Sequence, residues 1–227
     1  MRLRYTLSGH VFITPKDDLD TLVDELISTG YDEEFCLASD ISPSFIARLM
    51  KAGFLVMSIS IGDDVLLLPK IHLIRSVLLF PELHVKKSIK RFLGRYELRV
   101  DTDFNQILRR CVEIHGDGWL TPPLTRCIKR LHRKRVPIVR LLSFGVYRDG
   151  KLRAGEFGVV SGRVYTSYSG YYDEPNAGTC QLVLTTRYLQ DMGFAFLDFG
   201  MPLPYKDELG ARNVDTRSFV ELFRQSR

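Results

Sequence analysis

The strongest constraint on the fold is the run Arg148-Asp149-Gly150-Lys151, flanked by PIVRLLSFGVY before it and LRAGEFGVV after it. Asp-Gly between two β-type apolar runs specifies a tight hairpin, because both central residues must take positive φ and these two tolerate it. A second turn at Ser161-Gly162 leads into RVYTSYSGYY, so three antiparallel strands are predicted over 137–172. Asn176 is expected to cap a helix through TCQLVLTTRYLQDM, closed by Gly193, and FAFLD follows as a strand. A helix between neighbouring strands returns the chain to the same end of the sheet, so this last strand is expected to run parallel to its neighbour. The class is therefore α+β.

The 136 residues before this unit carry helical periods. DLDTLVDELIST at 18–29 reads as a short amphipathic helix stopped by Gly30. In SDISPSFIARLMKAGF, Asp40 or Ser42 is the expected cap, Pro43 suits the first turn, and Gly53 is the expected stop. VLLLPKIHLIRSVLLF is greasy, but Pro69, Lys70, His72 and Arg75 interrupt it, so it reads as strands rather than a membrane span. FPELHVKKSIKRFL puts Val85, Ile89 and Phe92 on one helical face, and a strand YELRV follows. Asp103 with Gln106 resembles a capping box for DFNQILRRCVEIHG. Thr121 and Pro122 start the best-marked helix, with Leu124, Cys127, Ile128 and Leu131 as its stripe. A last helix is expected near 216–224, and a domain boundary near residue 80.

Composition excludes some chemistry. Cys36, Cys111, Cys127 and Cys180 form no CxxC pair and no zinc spacing, which suits reduced, buried thiols of a cytoplasmic protein. The N-terminal MRLRYTLSGH has no apolar signal core. Asp198-Phe199-Gly200 matches a kinase triplet, but there is no Gly-rich phosphate loop, no paired strand lysine and no HRD segment.

The net charge is only +5, so its distribution matters more than its size. Lys86, Lys87, Lys90, Arg91 and Arg95 fall in one segment. Arg126, Lys129, Arg130, Arg133, Lys134 and Arg135 fall in another that has no acid at all. Such faces are most often solvated surface; if the two adjoin, they form a sequence-blind phosphate-binding footprint. Trp119 precedes a capped helix, where it serves either as a hydrophobic staple or as a flat surface for an adenine. Tyr165, Tyr168, Tyr171 and Tyr172 either line a pocket or follow strand alternation.

Several blocks then fall in a familiar order. FPELHVKKSIKR, GDGWLTPPL, FLDFGMPLP and a final LGAR resemble the leucyl/phenylalanyl-tRNA–protein transferase family, and SDISPSFIARLMKAGF resembles a further block of it. The resemblance covers about residues 35–225. It implies a small N-terminal domain, 1–80, and a GNAT-like acyltransferase domain, 81–227. The three-strand, helix, strand order of the C-terminal half resembles GNAT-like enzymes too. Their coenzyme A phosphate loop is missing here, in keeping with a donor carried on tRNA.

The implied activity is transfer of Leu or Phe from aminoacyl-tRNA to a protein's N-terminal Arg or Lys, marking it for degradation through the N-degron pathway. No cofactor, no metal and no membrane are implied, and the expected state is a cytoplasmic monomer. The resemblance makes Asp198 the catalytic carboxylate that orients the attacking amine, at a partly desolvated strand tip. Trp119, Tyr168, Ser169, Tyr171 and Gly200 would line the substrate pocket. Lys86, Lys87, Lys90, Arg91, Arg126, Lys129, Arg130 and Arg133 would hold the tRNA.

This sequence departs from the family where the chemistry sits. Gly200 replaces a Gln, Tyr168 replaces a Glu, Thr179 replaces a Lys, and LSFG at 142–145 stands against HSVE. The scaffold is kept and the pocket lining rewritten. The alternatives are a non-catalytic homologue that binds tRNA or N-terminal peptides, and an acyltransferase with another class of donor.

Overall fold

The computed structural model describes residues 3–134 and 137–227; Arg135, from the second basic segment, lies outside the described residues. The N-terminal part holds α1 (Leu19–Ser28), α2 (Pro43–Lys51) and a hairpin of β1 (Leu55–Ile61) and β2 (Asp64–Lys70). Asp18 caps α1 by accepting from the Thr21 N–H at 2.9 Å. At α2, Asp40 instead accepts from the Ser42 N–H at 2.7 Å, and Ser42, the residue at the cap position, makes no side-chain cap bond.

The rest of the chain builds one seven-stranded sheet in the order β4-β5-β6-β7-β8-β3-β9. Its strands are β3 (Ile74–Leu78), β4 (Glu97–Val100), β5 (Arg140–Arg148), β6 (Lys151–Ser161), β7 (Val164–Tyr172), β8 (Phe196–Gly200) and β9 (Arg212–Asp215). The predicted hairpin closes β5 and β6 with Asp149 at φ 52° and Gly150 at φ 69°. The predicted crossover is also present: α6 (Ala177–Asp191) leads to β8, which pairs parallel to β7. This antiparallel run followed by a helix and a parallel strand is a GNAT-like arrangement in an α+β fold.

Three features depart from the sequence reading. β3 precedes residue 80 yet lies inside the large sheet, between β8 and β9. Asn176 sits at φ 70° and makes no side-chain cap bond to α6. Asp103 does not cap α4 (Phe104–His115); its carboxylate accepts the Tyr147 hydroxyl instead, a tertiary partner the local motif did not reveal.

The sheet separates two apolar layers. On one face, Leu141, Phe157, Val164 and Phe196 pack with α1, α2, α4, α5 (Pro122–Lys134) and α8 (Thr216–Ser226), in a core that also takes Val11 and Val56. On the other, Leu142, Phe144, Tyr165, Leu197 and Phe199 pack with α6 and with α3 (Lys87–Leu93). Strand alternation forces this division: Leu141 and Leu142, or Phe196 and Leu197, are chain neighbours and must point to opposite faces. A short α7 (Pro204–Glu208) closes the end of β8 on the α6 side.

Candidate functional site

Asp198 answers to the first face. It is 0% exposed, and its carboxylate is held bidentately by Arg75, Nε to Oδ1 at 2.8 Å and Nη2 to Oδ2 at 2.7 Å. The Thr166 hydroxyl donates to Oδ2 at 2.8 Å and the Gly200 N–H to Oδ1 at 2.9 Å. Burial by itself would raise this carboxyl. The Arg75 charge and hydrogen bonds, with those of Gly200 and Thr166, overcome that and hold it below the usual carboxylate range. Arg75 is 1% exposed and stacks over the Phe219 ring at 4.3 Å.

The expected partly exposed strand tip is therefore a sealed ion pair. The reason is β3: its insertion beside β8 brings Arg75, remote in sequence, directly against the acid. Asp198 has no free edge to offer an amine, so geometry fits it as a residue that fixes the end of β8.

Gly200 has a backbone reason. It lies at φ 72°, and a Cβ there would approach Leu55 Cδ1 at 3.3 Å and His72 Nε2 at 3.7 Å. The left-handed region strains any side chain at this position. His72 is itself buried, and burial followed by the charges of Arg75 and Lys70 pushes its imidazole down to about 3.

The predicted substrate residues do not converge. Tyr168 is half-buried; its hydroxyl accepts from the Val56 N–H at 3.2 Å and lies 3.3 Å from the Phe54 carbonyl, tying β7 to β1. Trp119 is half-buried on the same core, and its carbonyl accepts from the Ser58 N–H at 2.9 Å. Ser169 faces the buried Cys111 thiol of α4. Tyr171 is 4% exposed beneath Arg110, whose guanidinium lies 5.3 Å from the ring centre. Tyr165 is buried on the opposite face and Tyr172 is exposed; strand alternation with a bulge at Tyr168, where Phe157 pairs with Ser169 but Gly158 with Ser167, distributes the tyrosines over both faces instead of into one pocket.

The two basic helices do not adjoin. α3 buries Ile89 and Leu93 in the α6-side layer, whereas α5 buries Leu124, Ile128 and Leu131 in the other. Lys86, Lys87, Lys90 and Arg91 are exposed on the first helix and its start; Lys86 pairs with Glu208 at 2.7 Å. Arg126, Arg130 and Arg133 are exposed on the second, with Lys129 half-buried.

A small, shallow cleft of about 40 Å³ lies between α3, α6 and α7. Val85, Ile89, Val183 and Leu209 give it apolar walls, and Lys86, Thr179, Tyr205 and Glu208 rim it. Behind α7, Lys206 is 5% exposed, and its ammonium donates to the Phe199 carbonyl at 2.8 Å and the Met201 carbonyl at 2.7 Å. Burial pushes it down to about 8, against the opposing pull of Asp198 and Glu156.

Glu156, which the sequence reading missed, is 1% exposed on β6 beneath α6. Its Oε2 accepts the Ser167 hydroxyl at 2.7 Å. Burial pushes its carboxyl up to about 7, with Ser167, Gln181 and the Lys206 charge acting the other way. The only signal in the sequence was an acid inside an otherwise apolar strand, AGEFGVV, the same signal that singled out Asp198.

The sheet topology and the cleft against α6 define an acyltransferase-like protein. Residues 77–224 match the family model of the leucyl/phenylalanyl-tRNA protein transferases. The chain belongs to that family. It is 32% identical over 131 residues to the leucyl/phenylalanyl-tRNA–protein transferase of Pseudomonas putida strain W619, covering 56% of each chain. The Thiobacillus denitrificans protein of the same name is 31% identical over 128 residues, 55% of this chain and 54% of its own. The chain thus spans little more than half the length of these curated relatives. Among solved structures, FemX aligns with 94% of this chain and 80% of its own at 11% identity and a TM-score of 0.47. A GCN5-related N-acetyltransferase from Anabaena variabilis aligns with 90% and 53% at 8% identity and a TM-score of 0.42. No helix of the described residues is long and apolar enough to cross a membrane.

Proposed function

We propose that the protein is an aminoacyl-tRNA–protein transferase, moving an amino acid from charged tRNA to the N-terminal amine of a protein. The observation that carries this reading is the family match over 77–224, a segment that contains β8, α6 and the cleft between α3, α6 and α7. In the reaction the amine nitrogen attacks the ester carbonyl, the new C–N bond forms, and the ester C–O bond breaks. The amine proton ends on the ribose hydroxyl that leaves. Because the ester is already activated, holding the two reactants together supplies much of the rate.

The donor expected from the family is Leu or Phe and the acceptor an N-terminal Arg or Lys, which places the product in the N-degron pathway of the cytoplasm. The division expected near residue 80 is kept in this reading only for residues before β3, since Ile74–Leu78 belongs to the large sheet. Asp198 is a positioning residue that holds the turn at Gly200 through its N–H. Trp119 and Tyr168 support the β1 side of the fold and reach substrate only at their exposed edges.

The direct test offers charged tRNAs, each with labelled amino acid, to peptides with varied first residues. Transfer of any residue supports the reading, and no transfer across the full panel overturns it. One observation favours the second reading, a tRNA- or peptide-binding homologue without catalysis: the carboxylate is sealed by Arg75 and position 200 has no side chain.

The tRNA is assigned to the α3 side, where Lys86 borders the cleft. Reversing Lys87, Lys90 and Arg91 to Glu is expected to weaken tRNA binding by at least about tenfold at low salt and to flatten its salt dependence. Reversing Arg126, Lys129, Arg130 and Arg133 is expected to have a smaller effect, since that surface lies on the other side of the sheet. A larger effect from the second set, measured by filter binding at several salt concentrations, would reassign the interface to α5.

A further inference from the structure

We propose that the outer face of α5 is a docking surface for the phosphate backbone of a double-helical RNA, a separate molecule from the tRNA assigned to α3. The inference goes beyond the transferase reading, which uses only the α3 side.

Two spacings laid over each other build the face. Leu124, Cys127, Ile128 and Leu131 turn one side of the helix into the core. Arg126, Lys129, Arg130, Arg133 and Lys134 recur at intervals of three and four on the other side, so they form one stripe. The helical rise spreads that stripe over about 12 Å, a length along which a nucleic-acid duplex carries on the order of seven phosphate charges. The helix is held fixed beneath it. His132 stacks on the Phe104 ring with centroids 3.8 Å apart, and its Nε2 lies 2.8 Å from Asp101 Oδ1.

The stripe has no local counter-charge. Among the described residues, none of the five cations has an ion-pair or hydrogen-bond partner. Arginines elsewhere on the surface are commonly paired: Arg99 with Glu97, Arg110 with Glu113, Arg148 with Glu174 and Arg224 with Asp24. The lack of acids extends past the helix itself. α5 packs against α2 and β5. No Asp or Glu occurs between Asp40 and Asp63 or between Asp117 and Asp149, the two stretches that supply all three elements. Asp101, which does touch α5, is engaged by His132. Like charges at i,i+4 repel, and a polyanion relieves that repulsion at every position of the stripe at once.

The chemistry of the face selects the occupant. An amphipathic helix holds a membrane by inserting its apolar side, and the apolar side of α5 is committed to the core. Three of the five cations are arginines, whose planar fork grips phosphate oxygens bidentately. The stripe presents cations alone, with no Asn or Gln to read base edges in a DNA major groove. Contact with the backbone only suits duplex RNA, whose major groove is too deep and narrow for side chains to read. α3 and α5 lie on opposite sides of the sheet, so one duplex cannot rest on both.

Filter binding to the full chain tests this with an RNA duplex of about 20 base pairs and arbitrary sequence, which has no aminoacyl end to seat in the cleft. Changing Arg126, Lys129, Arg130 and Arg133 together to Gln, a good helix former, is expected to weaken the duplex at least about tenfold. The single change Arg130→Gln disturbs the fold least and is expected to lower the slope of log affinity against log salt by about one. Reversing Lys87, Lys90 and Arg91 to Glu is expected to cost the duplex less than the α5 change does, the opposite of the order expected for tRNA. With uncharged tRNA bound one to one, added duplex is expected to sediment as a ternary complex that the fourfold Gln change abolishes.

Duplex binding within about threefold of the parent after the fourfold change, with an unchanged slope for Arg130→Gln, overturns the proposal. So does a larger loss from the α3 change, or displacement of tRNA by duplex one for one. Tighter binding of the same sequence as DNA would overturn it too, as would equal binding of polyglutamate or of phosphatidylglycerol vesicles at matched salt. The duplex readout involves no transfer, so a failure of the transferase reading leaves it standing.

Discussion

Asp198→Ala is expected to lower the free energy of unfolding by about 3–5 kcal/mol, because it leaves the Arg75 guanidinium charged, dry and unpaired. Both groups are sealed, at 1% and 0% exposure, so neither has water to fall back on. Urea titration of the variant measures the loss directly as a lower midpoint. The double change Arg75→Met with Asp198→Leu is expected to recover most of it, since removing both charges removes the uncompensated one. A loss below about 1 kcal/mol for the single change would mean that the pair is not locked as described.

The pH dependence follows in sign. Asp198 is held below its unfolded value, so its contribution is complete at neutral pH and is lost as pH falls through the unfolded and then the folded pKa. His72, pushed down to about 3, adds to the same acid limb, because the unfolded chain takes up a proton from about pH 6.5 downward. Transfer assays on Asp198→Ala therefore need the folded fraction measured in the same buffer.

The second large effect belongs to Glu156 and has the opposite direction. Burial pushes its carboxyl up to about 7, from the ordinary 4.5 of an exposed glutamate, so the folded state keeps a proton that the unfolded chain releases. Stability due to this residue falls as pH rises between those two values and is constant outside them. At pH 8 the ionised group in its dry surroundings costs about 3 kcal/mol. Glu156→Gln, which carries no titrating proton, is expected to be more stable than the parent by about that amount at pH 8 and to match it near pH 4. Parallel urea titrations at the two pH values check this. Equal differences at both would show that the carboxylate is compensated by a partner.

Much of the scaffold was legible in the chain. Asp149-Gly150 sets the β5–β6 hairpin because few other pairs accept positive φ twice in succession. The apolar stripe of Leu124, Cys127, Ile128 and Leu131 sets the buried face of α5. Local features of this kind are carried by a few neighbouring residues and survive any context. β1, β9 and α7 went unread: β1 alternates from Met57 to Ile61 but with Ser58 buried and Ile61 exposed, and β9 and α7 are short segments at the sheet edge and the end of β8.

The site was legible in its residues and not in its arrangement. An acid in an apolar strand marked Asp198 correctly as unusual, but the same test applied to AGEFGVV would also have marked Glu156. Caps at Asn176 and Asp103 failed for two different reasons. A side chain that satisfies a local motif can be taken by a stronger partner from elsewhere, as the Tyr147 hydroxyl takes Asp103, or be turned away by its own backbone, as Asn176 is at φ 70°.

The amino-acid sequence alone determined the α+β class, the antiparallel run with its crossover helix and parallel strand, and the family. All of these are written in turns, periods and ordered motifs along the chain. Only the tertiary structure decided which face each side chain serves. It set β3 beside β8, and so gave Asp198 to Arg75 instead of to a substrate; it put the two basic helices on opposite sides of the sheet; and it buried Glu156 under α6 with Ser167 bonded to one carboxylate oxygen. These outcomes depend on pairings across more than 100 residues, such as Arg75 with Asp198, and no local pattern encodes which distant strand will lie alongside.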